Sequence, residues 1–213
     1  MRICVLISSV AALALAGCSL GTRNVSYGLN SNTVPQGLTQ RPDGSIGASS
    51  QRDQKARQKD AAPKGSYTKA PRGALADRNY RETALDIATA KKLINKYRRD
   101  NGLKPLKLDA QLTKAAKSHS RDLAKWDRIS HFGSDGSNPW DRVKRVGYKA
   151  RMAAENVGTG QTTLREVMAG WKKSPGHNKN LLLPDAEHMG IALVHDPKTE
   201  FRTFWTLVLG ARI

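Results

Sequence analysis

Apolar residues recur with a regular period only in the second part of this 213-residue chain, from about Glu82 to the C-terminus. From Ser19 to Arg81 the sequence is rich in Ser, Asn, Gln, Gly, Pro, Lys and Arg, and its apolar residues stand singly. Such a segment buries too little apolar area to offset the entropy lost on ordering it. We therefore expect one folded domain over residues 82–213, preceded by a flexible linker over residues 18–81.

The N-terminus has the organisation of an export signal. Arg2 supplies a positive charge, and a run of apolar and small residues follows from Ile3 to Ala16. This run is shorter than the roughly 20 apolar residues that a permanent transmembrane helix needs. We therefore expect residues 1–17 to be a signal peptide that is removed during export.

The end of this signal suggests a lipid anchor. Leu15-Ala16-Gly17-Cys18 resembles the bacterial lipobox, in which the Cys thiol receives a diacylglyceryl group, the signal is cut before it, and the new amine is acylated. The resemblance implies a lipoprotein that holds fatty acids such as palmitate on Cys18, and several acyl chains bind a membrane firmly. Ser19 after the Cys favours the outer membrane, facing the periplasm. An ordinary secretory signal with a chance Cys is the alternative.

Composition limits both stability and partners. Cys4 lies in the predicted signal, so the processed chain has no disulfide and an apolar core must stabilise the domain. The net charge of +18 points to a polyanionic partner, a class that includes nucleic acid. Export argues against nucleic acid, because the polyanions outside the cytoplasm are lipid headgroups, lipopolysaccharide phosphates and wall carboxylates. We expect the basic linker to contact that anionic envelope surface; a merely soluble linker is the alternative.

Helix periodicity and end signals predict four helices. They run from Ile87 to Asn101-Gly102, from the N-cap Asp109 to Trp126, from Pro139 to Gly147, and from the capping box at Thr163 to Ser174-Pro175-Gly176.

Two runs of β-branched, aromatic and aliphatic residues, Met189–Val194 and Phe204–Leu209, predict an antiparallel hairpin, and Met152–Val157 is a weaker strand. Helices that come first and strands that come late predict an α+β domain whose sheet is packed by helices on both sides.

Five pieces of the domain occur in an order that resembles a known family. They are Ile94–Arg98 with Gly102–Leu106, the helix from Leu112 to Ala124, Ser130-His131-Phe132, Ala154–Val157, and Trp171–Asn178 leading to Met189–Ala192. Together they resemble the CAP superfamily, which comprises cysteine-rich secretory proteins, antigen 5 and plant pathogenesis-related proteins, in its disulfide-free bacterial form.

The resemblance implies a three-layer α-β-α sandwich with an antiparallel central sheet. It also implies a cleft into which two His and, in many members, two acidic side chains project. Matched residue by residue, these positions fall on His131, Glu155 and His177, with Ser174 at the second acidic position. The missing carboxylate lowers the negative charge of the site and should weaken metal binding.

Three interpretations of this residue set remain open. Two imidazoles and a carboxylate suit Zn²⁺ or another divalent metal with one position left for water. Without a metal, a His beside Glu155 could act as a general base. Equally, His131, Glu155 and His177 could brace the fold through hydrogen bonds.

Other candidates are weaker. His119 lies on the apolar stripe of its helix, where we expect a half-buried packing residue rather than a ligand. His188 and His195 flank a strand and have no evident partner, and Asn156 is interpreted as a structural hydrogen bonder. The sequence contains neither a Gly-rich phosphate loop nor a Gly-x-Ser-x-Gly elbow.

Three functions are compatible with these features. The first is an envelope-anchored binding module for a lipid or cell-wall component. The second is a metal-assisted hydrolase of peptide or wall material that uses His131, Glu155 and His177. The third is a structural envelope protein.

Overall fold

The computed structural model describes residues 61–213. The predicted signal peptide, the predicted anchor at Cys18 and the first part of the predicted linker lie outside the described residues.

The described chain contains six strands and five helices. In order they are β1 (Tyr67–Thr68), α1 (Ile87–Asp100), β2 (Lys107–Leu108), α2 (Ala110–Trp126), β3 (Ile129–Ser130), α3 (Pro139–Arg145), β4 (Ala150–Thr159), α4 (Leu164–Lys173), α5 (Pro175–Leu181), β5 (His188–His195) and β6 (Thr203–Arg212).

The central sheet has the strand order β2-β5-β6-β4. The predicted hairpin is present as β5 and β6, and β4 extends the sheet antiparallel to β6. The weak strand prediction is thus correct, and the strand is ten residues long. One detail of the expected antiparallel sheet is wrong, because the two-residue β2 joins β5 in the parallel direction. The direction of β2 follows from the chain that leads into α2. Two residues are too few to show a periodic pattern of apolar side chains.

Helices cover both faces of this sheet, because alternate residues of β6 point in opposite directions. Trp205, Leu207 and Leu209 belong to one apolar cluster with residues of α1, α4 and α5. Val208, between two of them, belongs to another cluster with residues of α2 and α3. The fold is therefore the expected α+β sandwich of three layers, helix, sheet and helix.

The close packing of α2 on the sheet depends on Gly190 of β5. A Cβ atom at this position would lie 2.1 Å from the backbone nitrogen of Thr113 and 2.2 Å from the carbonyl carbon of Leu112. No side chain fits at such distances, so the glycine sets how closely helix and strand can approach.

Helix ends follow the predicted signals with one addition. Asp109 caps α2 by accepting from the backbone N–H groups of Gln111 and Leu112, and the chain leaves α1 through Gly102 at a φ of +73°. Ser174-Pro175-Gly176 ends α4 as expected, but it also begins α5, which the sequence analysis missed. Pro at the first helical position favours initiation as well as termination, since the N–H it lacks would have no partner there.

Residues 61–81 lie against the domain, although they fall within the predicted linker. The backbone N–H of Ala61 donates to the carbonyl oxygen of Ser134, and β1 pairs with β3. Tyr80 is buried and donates its hydroxyl to the carbonyl oxygen of Gly160. The folded region therefore extends upstream of the predicted boundary at residue 82. Backbone hydrogen bonds and isolated anchors hold this segment, and neither produces the apolar period on which the boundary was based.

Within residues 61–213, no helix is both long enough and apolar enough to cross a bilayer.

Candidate functional site

Glu155 is the centre of a buried polar cluster. It lies in the middle of β4, opposite Val208 of β6, and its side chain is 1% exposed. One carboxylate oxygen, Oε1, lies 3.0 Å from Nδ1 of His131, and the other, Oε2, lies 2.7 Å from Nη2 of Arg142. Both oxygens are therefore occupied by partners inside the protein.

Arg142 is the counter-ion that makes this burial possible. It projects from α3, a helix that begins with Pro139 and a complete capping box between Asn138 and Asp141. Its Nη1 donates to the carbonyl oxygen of Ser137, while Nη2 donates to Glu155 and to the carbonyl oxygen of His131. One guanidinium thus neutralises the carboxylate and fixes the backbone of the loop that carries His131.

The charge of Glu155 is stable in this setting. Burial alone would raise the pKa of its carboxyl, but Arg142 foremost, with His119 and the hydrogen bond from His131, holds that pKa well below its usual range. Glu155 is consequently a carboxylate at neutral pH. It is too strongly stabilised to take up a proton there, so it does not suit the role of a general base.

His131 lies directly after β3 and is the member of the cluster nearest to solvent, with a side chain that is 12% exposed. Because its Nδ1 faces a carboxylate acceptor, the neutral ring carries its proton on Nδ1 and has Nε2 as the unprotonated nitrogen. The Glu155 carboxylate therefore fixes both the tautomer and the orientation of the ring, as carboxylates do for functional imidazoles.

His119 also belongs to this cluster. The sequence analysis expected a half-buried packing residue, but the side chain on α2 is fully buried. Its Nε2 lies 2.9 Å from the carbonyl oxygen of Ser130 and 3.5 Å from Oε1 of Glu155. Burial lowers the pKa of His119 to about 4, so the ring is neutral at pH 7. Its contact with Glu155 is consequently that of a dipole with a charge, not an ion pair.

His177 approaches the cluster from α5. Burial, and next the proximity of His131, lower the pKa of His177 to about 4, which also makes this ring neutral at pH 7. The carbonyl oxygen of His177 accepts from Nδ2 of Asn156. Nδ2 of Asn180 donates to the carbonyl oxygen of Glu155 and to Oδ1 of Asn156, so two amide side chains attach α5 to β4. Asn156 is structural, as its sequence position suggested.

The remaining predicted residues lie outside this hydrogen-bonded cluster. Ser174 is the N-cap residue of α5, and its buried Oγ has no hydrogen-bond partner within residues 61–213. His188 has a partner that the sequence did not reveal, the hydroxyl of Tyr148 at 3.0 Å. His195 packs against Tyr80 with ring centroids 5.8 Å apart.

The geometry does not fit the zinc site considered from the sequence. In that site Glu155 would supply an oxygen, yet its Oε1 faces His131 and its Oε2 faces Arg142. A guanidinium 2.7 Å from a ligand oxygen would also repel a divalent cation. Across the described part of the chain, no three His, Cys, Asp or Glu side chains are grouped so as to hold a metal. Glu155 therefore serves to orient the His131 ring through the hydrogen bond at Nδ1.

Comparison with known proteins agrees with this arrangement of elements. The family model of the cysteine-rich secretory protein family, CAP, matches residues 91–209, a range that includes all of the buried cluster. The chain belongs to the CAP family. This CAP chain is 32% identical over 157 residues to the uncharacterized protein YkwD of Bacillus subtilis, an alignment that covers 72% of the chain and 59% of YkwD.

Solved structures of two bacterial proteins resemble the CAP domain. An extracellular protein with an SCP domain from Bacillus anthracis matches with a TM-score of 0.52 and 25% identity, over 59% of this chain and 40% of that protein. An outer surface protein from Borrelia burgdorferi matches with a TM-score of 0.54 and 22% identity, over 61% of this chain and 97% of that protein, a likeness of fold alone. The chain spans about 59% of YkwD and 40% of the Bacillus anthracis protein.

Proposed function

We propose that this CAP protein is an envelope-anchored binding module that captures a lipid or a cell-wall component. The supporting observation is the internal neutralisation of Glu155, whose two oxygens are taken by His131 and Arg142. The Glu155 carboxylate, which hydrolysis would require, therefore has a structural role in the buried cluster. Its effect is to orient the ring of His131, close to the neutral ring of His177, and these imidazoles suit recognition of a ligand.

Location supports the same proposal. The sequence carries a lipobox-like Leu15-Ala16-Gly17-Cys18, and the structurally similar proteins from Bacillus anthracis and Borrelia burgdorferi are described as extracellular and outer surface proteins. A lipid on Cys18 would hold the domain at the envelope, in our proposal at the outer membrane facing the periplasm. The ligand would then be a molecule that the envelope itself supplies.

The test is recovery of the bound molecule. The full chain is purified from membranes together with a His177→Ala variant and a Lys91→Ala control, whose exposed side chain lies on α1 away from the cluster. Lipids and wall fragments that co-purify are identified by mass spectrometry. We expect one class to be enriched on the parent chain and on the control, and to be reduced on His177→Ala.

The same samples test the other two functions. Together with a His131→Ala variant, they are incubated with peptides and purified wall material, and new termini are measured. Turnover that His131→Ala abolishes would establish a hydrolase and contradict the proposal. Equal recovery of every lipid and wall fragment from all variants, without turnover, would leave a structural envelope protein as the function.

A further inference from the structure

A second polar site lies apart from the Glu155 cluster, at the end of the sheet where β5 turns into β6. It is a cleft of about 340 Å³ between the segment that precedes α1 and the hairpin loop. Its lining is Arg78, Asn79, Tyr80, Arg81, His195, Pro197 and Arg202. We refer to it as the arginine cleft.

Arginine side chains supply the charge of the arginine cleft. Three guanidinium groups, from Arg78, Arg81 and Arg202, contribute to the lining, and no carboxylate is among the described residues that form it. Nη2 of Arg78 donates to Glu166 outside the cleft, and Nη1 of Arg202 donates to the carbonyl oxygen of Pro197. Arg81 makes no side-chain hydrogen bond or ion pair with any residue from 61 to 213. Arg81 and Arg202 thus bring N–H donors to the cleft without an acidic partner there, while the charge of Arg78 is balanced by Glu166.

The backbone at Arg202 is unusual for such a residue. Its φ is +63°, a left-handed conformation that glycine and asparagine adopt readily and that a residue with a long side chain adopts rarely. The loop enforces it, because the backbone N–H of Arg202 donates to Oγ1 of Thr199 and its carbonyl oxygen accepts from the backbone N–H of Asp196. Glycine would form this turn more easily than arginine. The presence of arginine therefore suggests that its guanidinium has a role other than forming the turn. Strained residues of this kind are concentrated at ligand sites.

We propose that the arginine cleft binds a phosphate group. Guanidinium groups match the oxygens of phosphate in geometry and charge. Arg81 and the remaining nitrogens of Arg202 keep N–H donors for such a group, whereas Arg78 is already paired with Glu166. Tyr80 is held by its hydrogen bond to Gly160 and packs against His195 with tilted rings, which gives the cleft a fixed wall. The proposal does not depend on the function proposed for the His131 cluster. The phosphate can be free or part of a lipid headgroup.

The experiment measures phosphate binding to the full chain by calorimetry at constant ionic strength. Every sample carries Cys18→Ser, so that an acyl anchor cannot itself bring the protein onto a membrane. Arg202→Gly removes a guanidinium and at the same time relieves the backbone conformation, so this variant should fold at least as well as the parent. Arg81→Gln removes a second guanidinium. Arg99→Gln is the matched control, since Arg99 is exposed in the last turn of α1, outside the cleft.

We expect Arg202→Gly and Arg81→Gln each to weaken binding of inorganic phosphate about tenfold or more, the effect of losing a hydrogen bond to a charged group. Arg99→Gln should bind like the parent, and thermal unfolding should show all variants folded. No measurable phosphate binding by the parent, or equal weakening in Arg99→Gln, would overturn the proposal. The latter result would mean that the general positive charge, and not the cleft, attracts the anion.

A second arm separates the two sources of phosphate. Glycerol phosphate is titrated, and flotation is measured with vesicles of phosphatidylglycerol and of phosphatidylcholine. Binding of inorganic and glycerol phosphate without flotation supports a soluble phosphate ligand. Flotation with phosphatidylglycerol alone, lost in Arg202→Gly, supports a lipid headgroup. Flotation that persists equally in both cleft variants contradicts a role of the cleft at membranes.

Discussion

Arg142 and Glu155 form a buried ion pair in which Nη2 and Oε2 lie 2.7 Å apart, with side chains 6% and 1% exposed. The carboxylate also accepts from His131, and the guanidinium also donates to two carbonyl oxygens. A buried pair whose remaining donors and acceptors are satisfied in this way is tolerated, whereas either member alone would be a buried charge without a partner.

Replacing Arg142 with Met should therefore lower the free energy of unfolding by about 3–5 kcal/mol, because the Glu155 charge remains buried. The measurement is urea unfolding followed by circular dichroism. The control is Arg145→Met on the same helix, where the ion pair with Asp135 is exposed and a loss of about 0.2–1 kcal/mol is expected. Equal losses in both variants would show that the buried pair is not specially important.

The buried, neutral His119 should make stability fall in mild acid. Its pKa is about 4 in the folded protein against 6.5 for an ordinary His, so the unfolded chain takes up the proton first. Its contribution to stability is complete above pH 6.5 and is lost as the pH falls toward 4. Between pH 7.5 and pH 5 we expect a loss of about 2 kcal/mol from His119. His177 acts in the same direction.

The check is the urea midpoint measured across this range for the parent, His119→Gln and Ser118→Ala, an exposed neighbour on α2. The Gln variant should have a flatter pH dependence whatever its stability at pH 7.5, and the Ala variant should retain the slope of the parent. An unchanged slope in His119→Gln would contradict the neutral buried ring. Glu155 acts in a lower window, because stability from its lowered pKa is present above about pH 4.5 and is lost below it.

Two glycine substitutions should have opposite effects. Gly190→Ala forces a methyl group to 2.1 Å from the backbone of α2, and we expect it to cost about 3 kcal/mol or more. Gly170→Ala adds a methyl group in α4 with nothing within 4 Å, and it should stabilise the protein by about 0.4–1 kcal/mol. Thermal unfolding of both variants tests the packing of helix on sheet. A folded Gly190→Ala protein of normal stability would show that α2 does not lie so close to β5.

The lipid anchor makes a prediction about labelling in cells. Radioactive palmitate should label the parent chain, and Cys18→Ser should abolish the label. Cys4→Ser is the matched control, since Cys4 lies in the segment predicted to be removed, and its label should be retained. Processing that globomycin does not inhibit, together with an unlabelled parent chain, would contradict acylation and leave the CAP domain unaffected.

Strong periodic signals in the sequence predicted most of the fold. Four helices and the β5–β6 hairpin were predicted because each buries one regular apolar face or run, and that periodicity is visible without a partner. The two-residue strands and α5 were missed. β1 and α5 are two and seven residues long, and hydrogen bonds to distant residues stabilise them, so their own sequences give little sign of their conformation.

Only part of the candidate site could be predicted from the sequence, for a related reason. His131, Glu155 and His177 were found through a family resemblance, whereas Arg142 was not considered at all. An Arg in a short helix with a basic end is ordinarily solvent-exposed, and only the tertiary structure shows that this one is buried against Glu155. His119 had a usable signal, because an imidazole on an apolar helix stripe must satisfy its N–H somewhere. The apolar stripe could not identify that acceptor, which is the carbonyl oxygen of Ser130.

The contact of Ala61 with Ser134 determines the side from which the domain would be held. Ser134 is only three residues beyond His131, so the polypeptide contacts the domain on the loop that carries His131. Any pull transmitted from the N-terminus would act first on that loop and on β1 beside it.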